Sequence, residues 1–513
     1  MASRTRPLGP LAGIVAMGLA GLVLGPVGLV ALRAEHWGLD PADWAAVRFT
    51  VLQAALSAGV SCALAVPAAR ALARRQFAGR AALIRLMGAP FLLPGVVAVL
   101  ALLAVFGRAG PVNQGLGLLG LPPVSLFGLQ GVVLAHVFLN LPLAIRLLLG
   151  GWQAIPAERF RLAQALGFGP MAVARHLEVP MLRAVLPGAV LVIFLICLSS
   201  FAVALSLGGG PGATTVELAI YQALLFDFDL GGAAMLALVQ VALCAAAVAL
   251  AVRVTVPAGS GTGLDRASDR IAPGGWRRGA DGVVIGLAAG FLLLPLLAVG
   301  VNGMPGLADL PWSIGAAALR SAGVGVVAAT LAVTGALALA LAAARGSRLA
   351  EAAAMLPMAV SGLVLGTGLL LGLQPVVQLE VVALPVTALV NAALALPFAF
   401  RVILPEAQAV ARDYGRLQAA LGLRGWAGLR VVVLPRLRRP LGFAAGLAAA
   451  LSVGDLGVIA LFAGDGAATL PLMVQRLLGA YRVEQAAAAA LVLVALGFGM
   501  FWLCDRWGRH AAA

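Results

Sequence analysis

Few residues in this 513-residue chain could do chemistry, and those few are scattered. Asp455 stands beside Gly454 and Gly457 in an otherwise apolar run, where an ionisable residue is a functional candidate by default. Glu217 and Tyr221 lie four apart, so on a helix they share a face. Asp227 and Asp229 follow, and this group could meet a partner protein or simply face water. Ser199 and Ser200 form a second short polar pair, followed by Phe201. His136 and Asn140, again four apart, suit hydrogen bonds between helices. Cys62, Cys197, Cys244 and Cys504 are far apart, with no Cys-x-x-Cys and no Cys/His cluster, so no metal site is expected. All 35 basic residues are arginine. Without lysine the chain can build neither a P-loop nor a Schiff base. It is not expected to be an enzyme.

The elements that carry these residues must be membrane helices. Hydrophobic residues make up 62% of the chain, charged residues 11%, and the mean hydropathy is +1.04. Soluble domains run near ~45–50% apolar and ~25% charged, so soluble enzymes, disordered chains and nucleic-acid-binding proteins are all disfavoured. Twelve runs reach the roughly 20 apolar residues that a spanning helix needs. They lie near 10–32, 49–72, 82–107, 126–150, 184–207, 230–254, 282–303, 314–343, 349–373, 381–404, 437–462 and 485–505. The first is too long and too Gly-rich for a signal peptide and is expected to be retained. With the N-terminus inside, 29 of the 35 arginines fall on the inner side and 11 of the 20 acids on the outer side. That bias supports twelve spans with both termini cytoplasmic. Trp502 and Trp507 suit interfacial anchors.

The chain also matches itself. Leu141-Pro142-Leu143-Ala144-Ile145-Arg146 parallels Leu396-Pro397-Phe398-Ala399-Phe400-Arg401 at an offset of 255, and that offset holds to Pro180 and Pro435. Earlier the offset is 267, pairing Pro90 with Pro357 and Gly95 with Gly362. The difference places about 12 extra residues in the Gly/Pro/Leu stretch 108–123. The expected organisation is a first half over 1–256, a flexible cytoplasmic linker over 257–281, and a second half over 282–513. Six spans per copy make the repeat parallel, 6+6, in an all-α polytopic membrane protein.

The strongest match lies in the cytoplasmic loops after the fourth span of each half, about 157–183 and 412–438. The first loop has Glu158, Ala165-Leu166-Gly167 and then Pro180. The second has Asp413, Ala420-Leu421-Gly422 and then Pro435. Each is expected to form a short helix that opens with an acid and stops at a glycine. A second short helix then ends before the proline. Lipid contact cannot explain similarity in a polar loop, whereas a shared partner surface can.

These loops resemble the EAA loops of ABC-importer permeases, in which a Glu-Ala-Ala run, a Gly and a Pro recur at this spacing. Arg161 and Arg416 occupy the place where the family has its Glu. The resemblance implies the type I importer fold, with coupling helices that dock on an ATPase. It also implies a homodimeric ATPase partner that uses ATP and Mg, no cofactor on this chain, a periplasmic binding protein, and the bacterial inner membrane. The run Gly208–Asp229 and the segments Gly454–Phe462, Thr469–Pro471 and Gly479–Arg482 resemble the thiamine members of this family. Fused iron(III) permeases share the plan, and an ion-driven secondary transporter is the more distant alternative. For thiamine, a quaternary cation, an acid and aromatic faces would suit the pathway. The pathway candidates are Asp455, Ser199, Ser200, Phe201, Glu217 and Tyr221.

Overall fold

The computed structural model describes residues 9–34, 38–88, 92–208, 210–254, 275–423 and 425–509. Residues 257–274 of the expected linker, and Pro90, lie outside them. The described residues are almost wholly helical and contain no strand. Among the described residues, eleven helices are long and apolar enough to cross a membrane. They are α1 (Pro10–Arg33), α2 (Pro41–Arg74), α3 (Gly95–Leu118), α4 (Leu129–Ala154), α5 (Pro170–Leu198) and α6 (Leu230–Ala251) in the first half. The second half gives α7 (Trp276–Gly303), α8 (Trp312–Ala344), α10 (Leu379–Ala420), α11 (Gly425–Phe462) and α12 (Val483–Arg509). Between α8 and α10 lies α9, a pair of helices, Arg348–Ala359 and Gly362–Leu373, bent by 86°. Counted as one span, it brings the total to the twelve expected.

Apolar run length fixes where these helices are, but local residues fix where they break. The expected third span, 82–107, is interrupted. A short helix Arg80–Leu86 precedes the break, and α3 starts at Gly95 after Pro94. The stretch 108–123, expected to be an irregular outer segment, is partly helical. Pro111 opens the helix Pro111–Leu118 at a position where its missing N–H costs nothing. Asn113 staples the turn. Its side-chain amide donates to Phe106 O, Gly107 O and Val124 O, and its carbonyl accepts from Val124 N–H at 2.8 Å.

The compact units do not follow the sequence copies. One comprises Met1–Asp43, Val216–Ala245 and Gly303–Ala513; the other comprises Trp44–Thr215 and Ala246–Asn302. The first span thus groups with α8 to α12, and the seventh with α2 to α5. The reason is local fit. In the first unit, Gly368 and Gly372 of α9 form a shallow strip against which α1 lies through Pro26 and Leu29, so closely that no Cβ would fit at Gly368. In the same unit a Cβ on Gly442 would meet Cys504 O at 2.6 Å and one on Gly446 would meet Phe501 O at 2.8 Å, so α11 and α12 approach through glycine. In the second unit Phe291 of α7 meets Phe138 of α4 edge-on at 5.9 Å.

Candidate functional site

The two matched loops fold alike. The helix Ala157–Ala165 ends at Gly167, whose φ is +67°; α10 ends at Gly422, whose φ is +65°. Both glycines occupy the left-handed region that a side chain disfavours. The capping bonds also match one for one. Phe168 N–H donates to Ala163 O and Leu423 N–H to Gln418 O, both at 2.9 Å. Gly167 N–H donates to Gln164 O, and Gly422 N–H to Ala419 O. This is a Schellman turn twice over. Each loop then passes through a short α turn into a π-helical segment, Ala174–Glu178 in one and Leu429–Val433 in the other. Such segments are rare and concentrate at functional sites. Val179–Leu198 and Leu434–Val453 follow at the same offset of 255, carrying Pro180 and Pro435 in their first turns.

The loops differ in two respects. Glu158 lies in the first turn of its helix, as expected. Asp413 does not, because α10 runs unbroken for 42 residues from Leu379 to Ala420. The cause is Pro156, which caps the helix in the first loop, where the second has Ala411. Asp413 instead pairs with its neighbour Arg412 at 3.0 Å, on the surface. The second difference was not legible beforehand. Glu178, buried at the end of the first π segment, pairs with Arg70 at 2.9 Å and with Arg74, both on α2. The matched positions in the second half are Val433, Leu337 and Leu341, which pack on an apolar cluster. The only sequence signal was a lone acid facing a valine across the repeat.

Outward, both loops present apolar side chains at matched places. Leu162, Leu166 and Met171 are exposed in one, and Leu417, Leu421 and Trp426 in the other. Met171 is 81% and Trp426 69% exposed. Arg161, Arg416, Ala165 and Ala420 are exposed beside them. Large apolar groups exposed at turns beside arginines are the kind of surface that a partner covers.

The pathway candidates separate. Ser199 and Ser200 occupy the break between α5 and the helix Phe201–Leu207; Ser199 Oγ donates to Leu195 O and Phe201 is buried. Asp455 occupies the matching break within α11, before the helix Gly457–Phe462, and accepts from Val458 N–H at 3.4 Å and from Asn391. Asn391 also donates to Ser452 Oγ at 3.1 Å. Its partner in the first half is His136, whose Nδ1 lies 3.3 Å from Ser57 Oγ, while Asn140 reaches Cys197 Sγ at 3.5 Å. Glu217 lies in the ten-residue helix Val216–Leu225, which is too short to span, and is 2% exposed. It accepts a hydrogen bond from Ser361, the N-cap of the second arm of α9. Burial pushes the Glu217 carboxyl up to about 7; the Ser361 bond opposes this and the charge of Asp455 adds to it. Tyr221, half-buried, meets Phe226 edge-on at 6.1 Å. Thus the structure brings Glu217 and Asp455 into one unit, together with Ser361 and Asn391, which the sequence did not single out. Trp502 and Trp507 are exposed, with Arg506 and Arg438 over their rings.

A dozen apolar spans, broken helices with polar groups at the breaks, and twin surface turns define a multi-pass helical membrane protein of the transport-permease class. No family model matches the chain. It is 40% identical over 541 aligned residues to the thiamine transport system permease protein ThiP of Escherichia coli (strain K12), covering 99% of this chain and 98% of that protein. It is 38% identical to the ThiP of Brucella abortus (strain 2308) over 97% of this chain and 95% of that one. The ThiP of Haemophilus influenzae is 32% identical over 91% and 89%. The chain belongs to the family of thiamine transport system permease proteins.

Proposed function

We propose that the chain is the membrane permease of an ATP-driven importer that carries thiamine, or its phosphates, from periplasm to cytoplasm across the bacterial inner membrane. The observation that carries this reading is the similarity to thiamine transport permeases over nearly the whole chain. Both termini face the cytoplasm in this reading, and the two sets of six spans form a parallel repeat. A periplasmic thiamine-binding protein delivers the substrate outside. Two copies of one ATPase bind inside, one on each matched loop, and supply the ATP and Mg chemistry that this lysine-free chain cannot perform. Each loop offers the same geometry to its ATPase, a Schellman turn flanked by exposed apolar groups: Leu162, Leu166 and Met171, or Leu417, Leu421 and Trp426. Closure of the ATPase dimer moves the two loops together, and the stiff π-containing segments transmit that motion to α5 and α11. The breaks at Ser199–Ser200 and at Asp455 follow the helical stretches Val179–Leu198 and Leu434–Val453, so movement there opens the path alternately to either side. Ser199, Ser200, Phe201, Glu217, Tyr221 and Asp455 line that path. The test is uptake of labelled thiamine, against iron(III), into vesicles carrying permease, ATPase and binding protein. ATP-dependent thiamine uptake is expected; uptake of iron(III) alone would overturn the reading.

A further inference from the structure

Glu217 is a buried acid, and Asp455 a partly exposed one, in otherwise apolar surroundings. Neither takes part in any ion pair among the described residues. Glu217 is 2% exposed, and its Oε1 has no hydrogen-bond partner. Ser361 supplies one neutral donor to it, whereas Asp455 accepts from Asn391 and from the backbone N–H groups of Gly457 and Val458. The two acids are brought together by packing: beside Ser361, a Cβ on Gly362 would meet Val458 Cγ2 at 3.6 Å, and Val458 N–H donates to Asp455. An acid buried as Glu217 is, without a cation, is costly, and the charge of Asp455 adds to that cost.

The fold does not require them. For each acid, the matching element of the other half is built without one. The helix Phe201–Leu207 follows a break at Ser200, where the second half has Asp455. Pro94 stands at the N-cap of α3, where Ser361 caps the second arm of α9. The short helix Leu470–Gly479, which follows the break in the second half as Val216–Leu225 does in the first, has Pro471 at the second position, where the other has Glu217. An acid carried at a cost, where the matching element of the other half forms without one, points to binding.

We propose that Glu217 and Asp455, backed by Ser361 and Asn391, form an anionic site for an organic cation of fixed charge, which on the thiamine reading above is the thiazolium ring of thiamine. The donor set fits this chemistry better than a metal. Among the described residues no three His, Cys, Asp or Glu side chains gather to hold an ion. A quaternary cation asks for no coordination geometry and cannot lose a proton to the carboxylates. Tyr221, one helical turn from Glu217 on the same face, offers an aromatic ring at the site's edge.

The experiment measures initial rates of labelled thiamine uptake, over a range of concentrations, into vesicles carrying the whole complex. The variants are Glu217→Gln, Glu217→Asp and Asp455→Asn, each normalised to permease content and checked for melting temperature. Glu217→Gln and Asp455→Asn are expected to lower kcat/KM about tenfold or more, and Glu217→Asp to keep uptake within about threefold of the parent. Asp455→Asn preserves shape and reports separately should Glu217→Gln fold poorly. Uptake by both neutral variants within about twofold of the parent would overturn the site. So would a Glu217→Asp variant no better than Glu217→Gln, since charge would then be irrelevant. A parent complex that takes up no thiamine would overturn the thiamine reading itself; a competent parent with indifferent variants overturns the site alone.

Discussion

The ion-paired joint under the first loop gives a prediction whose size can be worked out. The Glu178 side chain is 4% exposed, that of Arg74 13%, and that of Arg70 38%. Breaking a buried pair by removing one partner costs about 3–5 kcal/mol, because the remaining charge is stranded. A pair as exposed as Arg70–Glu178 contributes at most about 1 kcal/mol. Glu178→Val should therefore destabilise the permease by about 3 kcal/mol or more, Arg74→Leu by about 3 kcal/mol, and Arg70→Leu by about 1 kcal/mol or less. The second half suggests the rescue. Its matched residues, Val433, Leu337 and Leu341, pack on an apolar cluster. Replacing a buried ion group by well-packed apolar residues is often neutral or stabilising. The triple change Arg70→Leu, Arg74→Leu and Glu178→Val should thus recover to within about 1 kcal/mol of the parent. The assay is thermal unfolding of the detergent-solubilised permease. Trp152, buried in α4 of the same unit, is the fluorescent reporter. The expected order of melting temperature is parent and triple variant together, then Arg70→Leu, then Arg74→Leu and Glu178→Val. A triple variant as damaged as Glu178→Val would refute the reasoning, since the cost would then lie in packing shape and not in stranded charge.

Other predictions concern the loops. Gly167→Val and Gly422→Val place β-branched residues at φ near +65°, where even an ordinary side chain costs about 1–2 kcal/mol. No atom lies within 4 Å of the added Cβ, so the penalty is conformational. These variants should assemble at normal levels, hydrolyse ATP, and transport far less thiamine per ATP; unchanged coupling in both would remove the assigned role of the turns. Met171→Ser and Trp426→Ser should each weaken retention of the ATPase by the purified permease about tenfold; retention equal to the parent in both variants would place the docking surface elsewhere. Gly446→Val, whose Cβ would meet Phe501 O at 2.8 Å, should destabilise the α11–α12 contact by about 2 kcal/mol or more, read as a lower melting temperature. A neutral result would mean that the two helices can separate freely.

The spans were legible because hydropathy reports apolar length, and length is what a bilayer demands. Gly167 and Gly422 were legible because a helix ending in the left-handed region selects glycine from local sequence alone. Breaks within spans were less so. The run 437–462 reads as one apolar helix, yet it turns at Gly454–Leu456, and α10 runs on to Ala420 where a separate helix was expected. Pro156 decides the first loop, and its absence decides the second. The Glu178 joint and the approach of Ser361 to Glu217 join residues more than 100 positions apart, which no window along the chain can register. Nor could the repeat reveal that α1 would pack on Gly368 of the second copy, because that fit depends on which small residues line the receiving face.

The central claim is that this chain forms the path of an ATP-driven thiamine importer, and transport itself tests it most directly. Vesicles reconstituted with the permease, its ATPase and the thiamine-binding protein should accumulate labelled thiamine only when ATP reaches the ATPase, and unlabelled thiamine should compete where iron(III) does not. Accumulation that ignores ATP, or that follows iron(III) and leaves thiamine outside, would contradict the account.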